Sequence, residues 1–108
     1  MLVDKFYEAF ERMRQDNLGK QLERRELGIL ASKYGIYINS NMWTCGLGQL
    51  FHKGKIGPKY VYIFKSIPVT RQEIETLSVA VRAYKRDNNR KIEHAKAILR
   101  RFNIHNID

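Results

Sequence analysis

Residues 36–64 read IYINSNMWTCGLGQLFHKGKIGPKYVYIF, and how this stretch divides into elements decides the fold. Ile36 and Ile38 bracket a short turn, after which Asn39 or Ser40 can cap a helix by accepting hydrogen bonds from its first free N–H groups. Over residues 40–53, helical periodicity brings Trp43, Leu47, Leu50 and Phe51 into one sector, and Asn41, Cys45, Gly48, Gln49 and His52 into the opposite one. The second set is small or hydrogen-bonding and holds no acid, a face suited to base edges as well as to solvent. Gly46 and Gly48 lie inside this expected helix, where each costs about 1 kcal/mol relative to Ala. Either they allow close backbone approach or the helix is shorter. Gly54 reads as the helix stop, Lys55-Ile56 as a short strand, Gly57-Pro58 as a turn, and Tyr60-Val61-Tyr62-Ile63-Phe64 as a second strand. Alternation separates Val61 and Ile63 from the aromatic stripe Tyr60, Tyr62 and Phe64.

Outward from this stretch the chain reads as helical. Val3, Phe6, Tyr7, Phe10 and Met13 recur at steps that predict an amphipathic helix over 2–17, with Asp4 as its cap, a Glu8–Arg12 pair on its surface and a stop at Asn17-Leu18-Gly19. A second helix is expected over 22–34, with Leu27, Leu30, Ala31 and Tyr34 on one side and Gly35 closing it. The short connection onward suits two helices packed at an angle. Downstream, Thr70-Arg71-Gln72-Glu73 is a capping-box pattern, and Ile74, Leu77, Val81 and Tyr84 follow with the spacing of a coiled-coil seam. The pattern breaks at Asp87-Asn88-Asn89. Because Asn is a poor interior residue and a good cap, two helices are expected here, the second carrying Ile92, Ala95, Leu99 and Phe102. Residues 104–108 read as a frayed tail. The expected fold class is mostly α with a small β-hairpin. Residues 1–69 form its principal domain, and 70–108 form a helical extension packed on it or used for dimerisation through Leu77, Val81 and Tyr84.

Composition bounds the function. The 108 residues suffice for one ordinary core, and 44% hydrophobic content is too apolar for a disordered basic tail. Lys and Arg number 20 against 11 Asp and Glu, a formal net charge of +9 that points to a polyanionic partner, nucleic acid first and an anionic membrane surface behind it. The charge is uneven: residues 1–54 carry 8 basic and 6 acidic side chains, and 55–108 carry 12 and 5. One Cys excludes an internal disulfide framework, and three scattered His residues lack the spacing of a structural zinc site, so no metal and no cofactor are expected. Without a long apolar run, the chain reads as a soluble cytoplasmic protein that does not enter membranes. No nucleophile–base arrangement, phosphate-binding glycine loop or carboxylate pair in an apolar setting is present in the sequence, so an enzyme is not expected.

Three helices, then a β-hairpin, with net basic charge, resemble the winged helix-turn-helix family of DNA-binding domains. Glu26-Leu27 with Ala31, Gly35 and Ile36 looks like the family's second helix and turn. Leu47, Leu50, Gly54 and Ile56 look like the end of its recognition helix running into the wing. The resemblance covers residues 4–65 and does not reach the C-terminal helices. It implies a partner of double-stranded DNA, bound by a small transcriptional regulator or a recombination or replication accessory factor. The helix over 39–53 would lie in the major groove and the hairpin over 55–64 on the phosphate backbone. Carried over, Asn41, Gln49 and His52 are base-reading candidates, Lys53, Lys55 and Lys59 phosphate contacts, and Ser40 and Thr44 phosphate contacts at the helix N-terminus. The wing lacks the dense basic tip expected of it.

Two other readings stand beside this one. An exposed row of Tyr60 and Tyr62 would suit stacked bases of RNA or a single strand, and Trp43, Tyr60 and Tyr62 as exposed anchors would suit an acidic protein partner. Between 82 and 101 the basic residues Arg82, Lys85, Arg86, Arg90, Lys91, Lys96, Arg100 and Arg101 face only Asp87 and Glu93. This offers either a solvated helix face or a further phosphate-contacting surface that includes Arg86 and Arg90.

Overall fold

Phe10 on the first helix meets Phe51 and Phe64 of the hairpin edge-on, with ring centroids 5.6 and 5.8 Å apart, and this aromatic cluster joins the helical and β parts of the molecule. The computed structural model describes the backbone of residues 2–101 and the side-chain surroundings of residues 2–90. Its elements are α1 (Val3–Asp16), α2 (Arg24–Lys33), α3 (Ser40–Thr44), a 3₁₀ turn (Leu47–Leu50), the antiparallel strands β1 (Phe51–Ile56) and β2 (Lys59–Phe64), and α4 (Arg71–Arg101). The chain is thus mostly helical with a two-stranded hairpin.

α1 presents Phe6, Ala9, Phe10 and Met13 to the core, as its periodicity predicts. Asp4 is not its cap: it lies in the first turn, and its carboxylate accepts a hydrogen bond from Arg71 Nε at 2.8 Å. α2 starts two residues later than expected, because Leu22 is used for pairing. Its N–H and C=O exchange hydrogen bonds of 3.0 and 2.7 Å with Tyr62, which lays a one-residue third strand beside β2. Glu26 then closes the N-terminus of α2 by accepting from the Glu23 N–H at 3.0 Å.

The expected helix over 40–53 ends at Thr44. The Asn39 side chain caps it, accepting from the Met42 N–H at 3.1 Å, and then Gly46 takes a φ of 110°, a left-handed value that breaks the helical run. A 3₁₀ turn follows, and the strand has already begun at Phe51. His52 and Lys53 therefore lie on β1. Gly54 is a mid-strand residue opposite Val61, where a β-carbon would meet the Val61 side chain at 3.2 Å. The two-residue link Gly57-Pro58 behaves as read: Gly57 has a φ of 60° and Pro a fixed negative one, the combination of a type II′ hairpin turn.

A second correction concerns the C-terminal part, where one continuous 31-residue helix replaces two. Asp and Asn are only a few tenths of a kcal/mol worse than average helix formers, and neither Gly nor Pro interrupts residues 71–101. The capping box is present as expected, with Thr70 Oγ1 accepting from the Glu73 N–H at 3.2 Å and Glu73 accepting from the Thr70 N–H at 3.1 Å. Leu77 and Val81, read as a dimer row, are buried with Ile74 in the same core as Phe6 and Phe10, so this chain itself covers them. Tyr84 is half-buried. The expected apolar row Ile92, Ala95, Leu99 and Phe102 and the tail over 104–108 lie outside the residues whose side chains are described.

Buried Arg14 fastens the link between hairpin and α4. Its guanidinium donates to both carboxylate oxygens of Glu11 and to the carbonyls of Lys65 and Ser66, while Glu11 accepts from the Val69 N–H at 2.8 Å.

Candidate nucleic-acid interface

Register determines which hairpin side chains share a face. The two-residue turn pairs Ile56 with Lys59, Lys55 with Tyr60, Lys53 with Tyr62 and Phe51 with Phe64. Lysines of β1 therefore stand directly across from aromatics of β2. At the core end of this face Tyr62 and Phe64 are buried, and Trp43 from α3 lies 4.8 Å from the Tyr62 ring. At the turn end Tyr60 is 52% exposed. The Lys53 ammonium lies 4.2 Å from its centroid and that of Lys55 lies 5.5 Å away.

Arg24 extends this row toward the helices. Its guanidinium lies 4.8 Å from the Trp43 centroid and 5.8 Å from that of Tyr62, and its Nε donates to the Tyr62 hydroxyl at 3.1 Å. The outcome is a stripe in which cations and aromatic rings alternate, from Trp43 at the helical end to Lys55 near the turn. The quadrupole of each ring holds the neighbouring cation in place, and each contact is worth about 0.5–1 kcal/mol at an exposed site. Arg25 and Lys59 flank the stripe across a shallow groove shared with Glu23, Tyr60 and Tyr62. Lys59 pairs with Glu23 at 3.4 Å, but at 71% side-chain exposure this pair is weak and leaves the ammonium open to other anions.

The sequence-derived candidates separate into two groups. Lys53, Lys55 and Lys59 converge on the exposed end of the hairpin. Asn41, Gln49 and His52 do not share one helical face: they lie on α3, the 3₁₀ turn and β1. On β1, His52 alternates to the side opposite Lys53 and Lys55, and Gln49 borders a groove against the start of α4. Thr44 spends its hydroxyl proton on the Ser40 carbonyl at 3.1 Å, and Ser40 is exposed at the start of a helix of five residues. Arg86 and Arg90 are exposed on α4, an element separate from the stripe.

Arg24, Arg25 and the placement of Tyr60 between two lysines were not singled out in the sequence. A signal for the arginines exists: both fall in the first turn of α2, where the helix dipole disfavours cations, so their position there calls for another use. The aromatic row is not an exposed platform, since Tyr62 and Phe64 retain 2% and 3% exposure.

Among the described residues no helix is long and apolar enough to cross a membrane, and no group of His, Cys, Asp or Glu is placed to hold a metal ion. Comparison with protein-family models, curated proteins and solved structures finds no match to this chain.

Proposed function

We propose that this chain is a winged-helix module that binds duplex DNA, gripping the phosphate backbone through the cation–aromatic stripe of its hairpin. The observation that carries the reading is the convergence of Arg24, Lys53 and Lys55 on one face, fixed by Trp43, Tyr62 and Tyr60. Cations held in place by rings lose less conformational freedom when they meet phosphates than lysines on unsupported stems do. The order helix, one-residue strand, two helices and hairpin supports the winged-helix reading, because the pairing of Leu22 with Tyr62 joins the segment between α1 and α2 to the sheet.

Duplex is favoured over single strands, since stacking successive bases needs a row of exposed rings and this row offers Tyr60 alone. In this account affinity comes from the wing. The short α3 lies beside the stripe through Trp43, with Ser40 and Asn41 as the groups nearest to base edges, and Gln49 and His52 have no base-reading role.

Fluorescence anisotropy with a labelled duplex and a single strand of the same sequence tests this. Tight duplex binding that weakens roughly 10²–10³-fold between about 50 and 200 mM salt is expected for four or five phosphate contacts. Preference for the single strand, or no binding to any duplex at the lower salt, would overturn the proposal.

A further inference from the structure

On the side of α1 facing α4, away from any role assigned so far, Phe6, Ile36, Met42 and Val81 form the apolar floor of a groove of about 360 Å³. Three separate parts of the chain enclose it: the start of α1, the turn that follows Gly35, and α4 one turn before Lys85. Leu2 and Tyr37 stand over its rim with 70% and 79% exposure, large apolar surfaces left in water. Lys5 and Lys85 complete the lining, and neither ammonium has an ion-pair or hydrogen-bond partner among the described residues. The adjacent Asp4 carboxylate is occupied by Arg71.

We propose that this groove binds a small amphiphilic carboxylate, its alkyl or aryl body on the apolar floor and its single negative charge between Lys5 and Lys85. The volume lies within the range of small-ligand sites, and an apolar lining with a few placed polar groups is their usual chemistry. A neutral apolar ligand would leave both lysines without a counter-charge. A polyanion such as nucleic acid has no use for the floor. The ligand bridges the turn that leads into α3 and the root of α4, so its binding adds to stability by mass action. The inference is independent of duplex binding by the hairpin.

Isothermal titration with decanoate below its aggregation concentration, with decanol as the uncharged probe, tests the site. Decanoate should bind saturably with one molecule per chain, raise the melting temperature, and shift the NMR signals of the Met42 and Val81 methyl groups. Decanol should bind about tenfold more weakly, and so should decanoate to the Lys5→Gln/Lys85→Gln double variant, the loss expected from two exposed charge contacts. Both lysines are exposed, so the variant should keep the circular dichroism spectrum of the parent. Absence of saturable decanoate binding, equal affinity for decanol, or undiminished binding to the double variant would each overturn the proposal.

Discussion

At Gly46 the backbone takes a φ of 110°, which an L side chain adopts only with strain, although a β-carbon there would meet nothing closer than 3.7 Å. Gly46→Ala should therefore destabilise the fold by about 1–2 kcal/mol through backbone conformation alone. Gly28 is the contrasting case: it lies inside α2 without a positive φ, and a β-carbon has open space. Gly28→Ala should stabilise by about 0.5–1 kcal/mol. Urea midpoints moving in opposite directions for the two variants would bear this out, and a shift of the same sign in both would contradict it. Tyr34 offers a pH-dependent test. Its hydroxyl donates to the Asp16 carboxylate at 2.8 Å, and this bond, followed by partial desolvation, raises the phenol above its ordinary value of 10.0. A raised folded-state value means that the contribution is complete below the unfolded value and is lost as pH climbs through the folded one. The stability advantage of the parent over Tyr34→Phe should hold to about pH 9 and shrink above pH 10; an advantage that grows with alkalinity would refute the assignment. Local chemistry of this kind was legible in the sequence where partners are close neighbours, as for Asn39, Thr70 with Glu73, and Gly57-Pro58. The Tyr34–Asp16 bond joins two helices and could not be read there.

Among the elements, the link from hairpin to α4 depends on Arg14. It is buried with 5% side-chain exposure, and its loss strands the Glu11 carboxylate and two backbone carbonyls. Arg14→Ala should cost about 3 kcal/mol, because the uncompensated buried charge weighs more than the lost bonds; denaturant unfolding reads this directly. A cost below 1 kcal/mol would show that the link is held by packing instead. Element lengths were the least legible part of the sequence. The run over 40–53 has helical periodicity, but a buried strand starting at Phe51 satisfies the same apolar residues once Gly46 reverses the chain. Asp87-Asn88-Asn89 reads as a break by residue preference, yet that preference is too weak to stop a helix without Gly or Pro. The stripe itself was within reach: a two-residue turn at 57–58 already pairs Lys55 with Tyr60 and Lys53 with Tyr62. Arg24 was not, because its place over Trp43 depends on how α2 and α3 pack.

Across the whole molecule, α4 sets the shape. A 31-residue helix is about 46 Å long, and the chain measures 57 × 35 × 21 Å with a Cα radius of gyration of 18.0 Å, against about 13 Å for a globule of this length. Small-angle scattering from the monomer should give the larger value; a radius near the globular one would contradict a continuous α4. The net charge of +9 attracts polyanions from every side, so binding to DNA alone does not identify the surface responsible. The decisive measurement is the salt dependence of duplex affinity for the parent and for Lys53→Ala/Lys55→Ala. Each phosphate contact contributes close to one unit of slope in log K against log salt. The account predicts that the double variant binds every duplex more weakly and with a slope shallower by about two. An unchanged slope would contradict the assignment of the hairpin as the DNA-binding surface.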